Sequence, residues 1–283
     1  MIAEGAGPFR RLGLIERLAR RLSAMPMNAA LRSRLKRWYV AVLLLQTGGR
    51  GLRSALPHGE IVRVHPAHRF MSWNPAEYDA FRSAARPGMV VFDVGANVGS
   101  YSMLLGQWSG PRGSVYAFEP VPAIFAGLVR HVALNHLQDI VHPVAAAVSD
   151  RDGTARFTVS ATAGESRLAG PSDERREGGV TVVSIDGFCA REGLEPDFIK
   201  IDVEGWELAA LRGARDTIAR RGGRLALFVE MHPSVWPLIG VTKDAVLREL
   251  SAQSLQIAPL TPDQDPWSVE GECVRLVPRS CAS

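Results

Sequence analysis

Three stretches of this sequence carry side chains able to do chemistry. The first is Asp93-Val94-Gly95-Ala96-Asn97-Val98-Gly99. Gly95 permits a tight turn there, and Gly99 lets a helix approach a strand or a ligand closely. The second is Glu119, twenty residues after Gly99. A carboxylate at that spacing can accept both hydroxyls of a ribose in charge-assisted hydrogen bonds. The third is a pair of acidic clusters: Asp202-Val203-Glu204-Gly205 with Glu207 just beyond, and Glu230-Met231-His232-Pro233. Such groups can align an acceptor oxygen and help remove its proton. His232 is a candidate base because imidazole titrates near neutrality, with Glu230 next in line. Asp202 is the third candidate catalytic residue.

A nicotinamide dinucleotide calls for GxGxxG, whose glycines admit a pyrophosphate. Here the turn is GxxxG with Asn97 in the middle, and Asp93 stands directly before it. A carboxylate repels a phosphate and suits an ammonium or a sulfonium. Adenosine with an amino acid tail and no phosphate describes S-adenosylmethionine. Plainer roles stand beside these. Asp93 can brace the turn through backbone hydrogen bonds and still face a cofactor. Glu204 or Glu207 can cap a helix. Lys200 and Asp202 share a strand face and can simply pair, and a histidine before proline is often a turn residue. Asp202, Glu204, Glu230 and His232 offer ligands suited to Mg²⁺. No spacing rule singles them out, so no metal is expected.

The elements that must position these residues alternate between strand and helix. MVVFDV (89–94) is a short apolar run, as expected of a buried parallel strand. A turn over 95–99 and a helix over 100–108 follow. Strands are predicted at 114–119, 141–148, 197–203 and 224–230, with helices at 124–134, from about Trp206, and at 244–252. Segments 155–159 and 180–184 predict a hairpin around a polar loop, 161–179, long enough to serve as a substrate lid. Segments 255–259 and 273–277 close the sheet. This order predicts a parallel α/β sandwich that binds ligands beyond the carboxyl ends of its strands.

VFDVGANVGSYS, VYAFEP, VAAAVSDRDG and FIKIDVEGWE, in this order and spacing, resemble the FkbM family of S-adenosylmethionine-dependent methyltransferases. The resemblance covers roughly residues 75–260. It implies an α/β class I methyltransferase (Rossmann-like) fold: a seven-stranded, mostly parallel sheet with helices on both faces. It also implies O-methylation of hydroxyls, often on sugars or polyketide-type natural products. By the same resemblance Asp93, Gly95, Asn97 and Gly99 fall on the cofactor loop and Glu119 on the ribose. Pro120 and Val121 fall against the adenine, and Asp202 closest to the reacting methyl. Trp206 stands where the family commonly has a small residue, which bears on acceptor shape and not on the reaction.

Composition limits the alternatives. The chain has 283 residues, 46% hydrophobic and 22% charged, ordinary for a folded domain. No apolar run approaches the roughly 20 residues that span a bilayer. Cys189, Cys273 and Cys281 form no CxxC pair and fit a reducing compartment, so a cytoplasmic location is expected, at most peripheral on a membrane. Residues 1–60 hold eleven Lys/Arg against three Glu, a net +8, while the remainder holds 22 basic and 26 acidic residues, a net −4. A mildly acidic body argues against nucleic acid as a partner. So does the strand-four motif, which lacks the Asn/Asp-Pro-Pro-aromatic loop of amine-directed base methyltransferases.

The division expected is therefore a basic helical extension and linker over 1–60 and a catalytic domain over 61–283. The extension predicts two amphipathic helices, one through Leu12, Ile15, Leu18 and Leu22 and one from about Ala29 to Gln46. They either pack on the domain or attach residues 1–46 to an anionic membrane surface. A signal peptide from Met27 ranks last, since no small-residue cleavage pattern follows. The acceptor is expected to be a small molecule or glycan. A methyltransferase-like binding module without turnover, recruited by the basic helices, is the competing class.

Overall fold

The structure is a computed structural model that describes residues 28–158, 167–168, 177–268 and 272–279. The helix expected through Leu12 to Leu22, and most of the polar loop 161–179, lie outside the described residues. The central sheet has seven strands: β3 (Val90–Val94), β4 (Ser114–Phe118), β5 (Val141–Val144), β10 (Phe198–Ile201), β11 (Ala226–Met231), β12 (Leu255–Ala258) and β13 (Glu272–Pro278). Their order is β12-β13-β11-β10-β3-β4-β5. From β11 through β10, β3 and β4 to β5 every pairing is parallel. β13 is antiparallel to both β11 and β12. The expected seven-stranded class I methyltransferase architecture is therefore present.

Both faces of the sheet are covered, which is why its strands read as unbroken apolar runs. Successive residues alternate between two cores. Phe92, Val94, Ile199, Ile201, Leu227 and Val229 pack with helices α5 (Ile185–Glu192), α6 (Glu207–Arg212), α7 (Arg215–Arg221) and α8 (Lys243–Ala252). Val91, Val115, Ala117, Phe198 and Phe228 pack with α2 (Pro75–Ala84), α3 (Ser100–Ser109) and α4 (Pro122–Leu134). Strands after β3 first extend one way, to β4 and β5, and then return to the other side at β10. The switch point lies between β3 and β10.

The strand expected over 141–148 is two strands. β5 ends at Val144, and Ala147–Val148 form β6 in a separate four-stranded sheet with β7 (Gly153–Thr158), β8 (Arg167–Leu168) and β9 (Glu177–Val183), ordered β6-β9-β7-β8. Pro143 has no N–H to donate, which suits β5 to its place at the sheet edge. The expected hairpin exists: β7 (Gly153–Thr158) runs antiparallel to β9 (Glu177–Val183), and β8 (Arg167–Leu168) adds to it.

The stretch 48–60 is not the linker expected of it. β1 (Leu52–Ala55) pairs antiparallel with β2 (Ile61–Val64) across the turn at 56–60. Glu60 accepts hydrogen bonds from the Tyr78 hydroxyl at 2.6 Å and from the Trp108 indole at 2.8 Å. The chain is thus tied into the domain well before residue 61. Ahead of the hairpin, α1 (Ala29–Gln46) begins at Asn28, whose side chain accepts from the Leu31 amide at 2.8 Å. Tyr39 and Leu43 are buried where α1 packs on the short turn Pro66–His68. Among the described residues, no helix is long and apolar enough to cross a membrane.

Candidate active site

At the switch point the turn after β3 lies directly on the end of β10. Gly95 has φ +79°, and a β-carbon there would stand 1.7 Å from the carbonyl oxygen of Asp202. No other residue type fits that approach. Both the Gly95 and Ala96 amides donate to the Phe118 carbonyl of β4, so the turn is pinned between three strands. Asn97, at φ +52°, uses a left-handed conformation that asparagine tolerates. Gly99 caps α3 at φ +89°, and a β-carbon there would press on Leu128 at 2.7 Å.

Beside this turn opens a cavity of about 710 Å³. Asp93, Gly95, Asn97, Lys200 and Asp202 line it, together with His68, Phe70 and Met71. Of the sequence-derived cofactor residues, Asp93, Gly95 and Asn97 line this cavity, and Gly99 is not among its walls. Glu119, Pro120 and Val121 are not among its walls. Glu119 is buried at the end of β4 and accepts the Val121 amide at 2.8 Å, bracing the start of α4. Burial pushes its carboxyl up to about 7, against the pull of the Val121 and Asn97 amides.

Asp93 is buried, and the Ser102 hydroxyl donates to its Oδ2 at 2.5 Å. This side-chain bond replaces the backbone bracing that the sequence suggested. Its other oxygen, Oδ1, has no hydrogen-bond partner and lies 3.9 Å from Lys200 Nζ. Burial raises the Asp93 pKa, and Lys200 opposes that rise. Lys200 in turn donates to Asp202 Oδ2 at 2.9 Å. Burial alone would discharge this lysine, but Asp202, Asp93 and Glu230 hold its pKa above the ordinary value.

The structure brings Asp202, Glu230 and His232 together, as the strand-end argument expects. His232 Nε2 lies 3.9 Å from Asp202, 3.6 Å from Glu230 and 3.7 Å from Glu204. Its Nδ1–H donates to Glu207 Oε1 at 2.8 Å. Burial opposes the charged ring, yet the hydrogen bonds to Glu207 and Glu230 and the charges of Glu207 and Asp202 outweigh it. The pKa is pushed up to about 11. The surrounding carboxylates thus favour the protonated ring over the near-neutral titration expected from the sequence. Asp202 is held below the usual carboxylate range; burial would raise it, but Lys200 and His232 prevail. Burial pushes Glu204 up to about 7, with His232 opposing.

Two residues that sequence reasoning treated as helix caps matter more than that. Glu207 is fully buried and also accepts the Gly205 amide and the Trp236 indole, each at 2.7 Å. Glu204 stands at φ +49°, a conformation a non-glycine residue seldom keeps without cause, and its carboxylate joins the cluster. Asp202, Glu204 and His232 present ligand atoms within 4.8 Å of one another, close enough to surround one cation. In this arrangement the imidazolium supplies the positive charge. The wall formed by residues 67–72 was also missed, because it precedes the strand-helix alternation.

Comparison with known proteins identifies the family of the chain. Residues 93–254, more than half of the chain, match the model of the methyltransferase FkbM domain. The hexuronic acid methyltransferase AglP of Haloferax volcanii is 30% identical over 179 residues, covering 62% of this chain and 68% of that protein. The 31-O-demethyl-FK506 methyltransferase FkbM of Streptomyces tacrolimicus is 32% identical over 142 residues, covering 48% of this chain and 52% of its own. The chain thus spans only about half the length of this second relative. A crystal structure of methyltransferase FkbM from Methylobacillus flagellatus aligns over 93% of this chain and 57% of its own, at 18% identity and a TM-score of 0.42.

Methyltransferases of this kind take their methyl group from S-adenosylmethionine, and the residues present fit that molecule. Asn97 stands where a GxGxxG turn has the glycine that admits a pyrophosphate, and Asp93, whose Oδ1 has no hydrogen-bond partner, lines the cavity, a place suited to the ammonium of an amino acid tail. By its family-model match and by the turn that carries the match's first residues, this chain belongs to the FkbM methyltransferase family.

Proposed function

We propose that the chain transfers a methyl group from S-adenosylmethionine to a hydroxyl oxygen of a small molecule or glycan, such as a sugar or a polyketide-type natural product. One observation carries the reading: the Gly95 turn rests on the Asp202 backbone, so the cofactor loop and the acidic cluster meet at a single residue. The names of two relatives, one acting on a hexuronic acid and one on 31-O-demethyl-FK506, support an oxygen acceptor of this class.

Bound S-adenosylmethionine supplies a methyl group on a sulfonium, open to in-line displacement. Asp93 would hold the ammonium of its tail and Glu119 the ribose hydroxyls, with Pro120 and Val121 on the adenine side. Asp202, kept ionised by Lys200 and His232, orients the acceptor hydroxyl beside the cofactor loop. Glu204 takes the hydroxyl proton, since its carboxyl near 7 makes it a stronger base than an ordinary glutamate. Glu230 completes the carboxylate set, and the His232 imidazolium holds that set together without itself accepting the proton.

The test uses methyl-labelled S-adenosylmethionine and a panel of hydroxyl-bearing acceptors, among them uronic acid glycosides and macrolides. Label is expected on oxygen. With an acceptor in hand, Glu204→Gln should lower kcat by about 10²–10⁴-fold and leave cofactor affinity unchanged. Label found only on nitrogen would refute the reading, and full kcat in Glu204→Gln would remove Glu204 as the base.

A further inference from the structure

Helix α1 shows a surface that neither the fold nor the site accounts for. Its buried side, Tyr39 and Leu43, packs on the domain. Flanking that side, Leu31, Trp38 and Leu45 are spaced seven residues apart and so form one stripe along the helix. They are 46%, 60% and 82% exposed. Surface helices of soluble domains seldom turn such a row to water. The rest of the exposed surface carries Arg32, Arg34, Lys36 and Arg37, and α1 has no Asp or Glu.

The helix is coupled to the mouth of the cofactor cavity. Arg69 stacks its guanidinium over the Tyr39 ring of α1 at 4.8 Å and over the Phe70 ring at 4.3 Å. Phe70 lines the cavity and is 73% exposed. One arginine therefore spans from the helix to an aromatic side chain at the cavity mouth.

We infer that α1 docks on an anionic lipid surface through the Leu31-Trp38-Leu45 stripe and its basic residues, and that this holds the cavity mouth at Phe70 against the same surface. Charge complementarity selects the occupant. Four basic residues without a counter-charge on the helix attract anionic headgroups, while tryptophan and leucine enter the boundary beneath them. A second copy of the chain would bring the same positive charges face to face. Docking itself does not depend on the methyl-transfer reading. What it adds to that reading is a direction of approach: an acceptor anchored in the surface meets the cavity without leaving the surface.

The experiment is sedimentation of the full chain with vesicles of phosphatidylcholine alone or mixed with phosphatidylglycerol, at low and high salt. The chain should sediment with the mixed vesicles, not with the neutral ones, and less at high salt. Removing two charges in Arg34→Gln/Arg37→Gln should weaken binding about thirtyfold. Trp38→Ser/Leu45→Ser should weaken it at least about tenfold, and Phe70→Ser should weaken it measurably. Melting curves of the Trp38/Leu45 variant check that it is folded, and its S-adenosylhomocysteine affinity should equal that of the unaltered chain. Failure to sediment with mixed vesicles overturns the inference. So does undiminished binding in the Trp38/Leu45 variant, which would assign attachment to residues 1–27, or a dimer that this variant dissolves. Undiminished binding in Phe70→Ser overturns the placement of the mouth. Loss of cofactor binding in the unaltered chain would instead count against the methyltransferase reading and leave docking standing.

Discussion

Glu207 accepts a hydrogen bond from Nδ1–H of His232 at 2.8 Å, from the base of α6 to the end of β11. Because Glu207 is fully buried and also holds the Gly205 amide and the Trp236 indole, this bond ties the loop after β10 to the strand beside it. The acidic cluster around Asp202 is thereby joined across two strand ends, with Lys200 at 2.9 Å and His232 at 3.9 Å from Asp202 as its two cationic partners.

That bond sets a pH dependence. The folded-state pKa of His232, about 11, lies above its ordinary 6.5. A raised pKa contributes stability that is fully present below 6.5 and is lost as pH rises toward 11. The urea midpoint should therefore fall between about pH 7 and about pH 10, and His232→Gln, which keeps a donor but cannot titrate, should lack that part of the slope. An identical slope in the variant would show that the imidazolium is not the group responsible.

Gly95→Ala tests the contact at the switch point. The substituted residue would need a positive φ and would place its β-carbon inside the Asp202 carbonyl. The turn must shift, so S-adenosylhomocysteine affinity should fall at least about a hundredfold, by about 3 kcal/mol. Calorimetry reads this directly. Unchanged affinity would mean that the turn does not hold the cofactor.

His131 offers a prediction at the acid side. Its Nδ1–H donates to the Val98 carbonyl of the cofactor loop at 2.7 Å, and its Nε2 accepts the His65 amide at 3.0 Å. Burial pushes its pKa down to about 4, the Val98 bond opposing. The unfolded chain takes up this proton near 6.5 and the folded chain does not. Stability is therefore lost as pH falls from about 6.5 to about 4, by up to about 3 kcal/mol. His131→Gln should flatten that decline in urea titrations. A decline of the same size in the variant would assign it to other groups.

Much of this arrangement is legible in the sequence because it follows from local pattern. MVVFDV reads as a strand because β3 is buried on both faces, and the rule that ligands sit beyond strand ends leads from there to Asp93, Asp202 and His232. What escaped depends on tertiary contact. The first hairpin is hidden because β1 and β2 are four residues each and the Pro57–Gly59 turn looks like a linker. The importance of Glu207 depends on Trp236, 29 residues away. The ordinary pKa of histidine is a sound first guess for His232 until four carboxylates gather around it. Phe70 and His68 carry no motif, and only folding brings them into the lining of the cavity beside the cofactor turn.

The most direct test of the cofactor assignment is calorimetry of the purified chain with S-adenosylhomocysteine, S-adenosylmethionine and NAD, repeated on Glu119→Ala. The expected result is saturable one-site binding of both sulfur ligands, none of NAD, and a loss of about 1.5–3 kcal/mol in the variant. Tight binding of NAD with no response to S-adenosylhomocysteine would contradict the account at its centre.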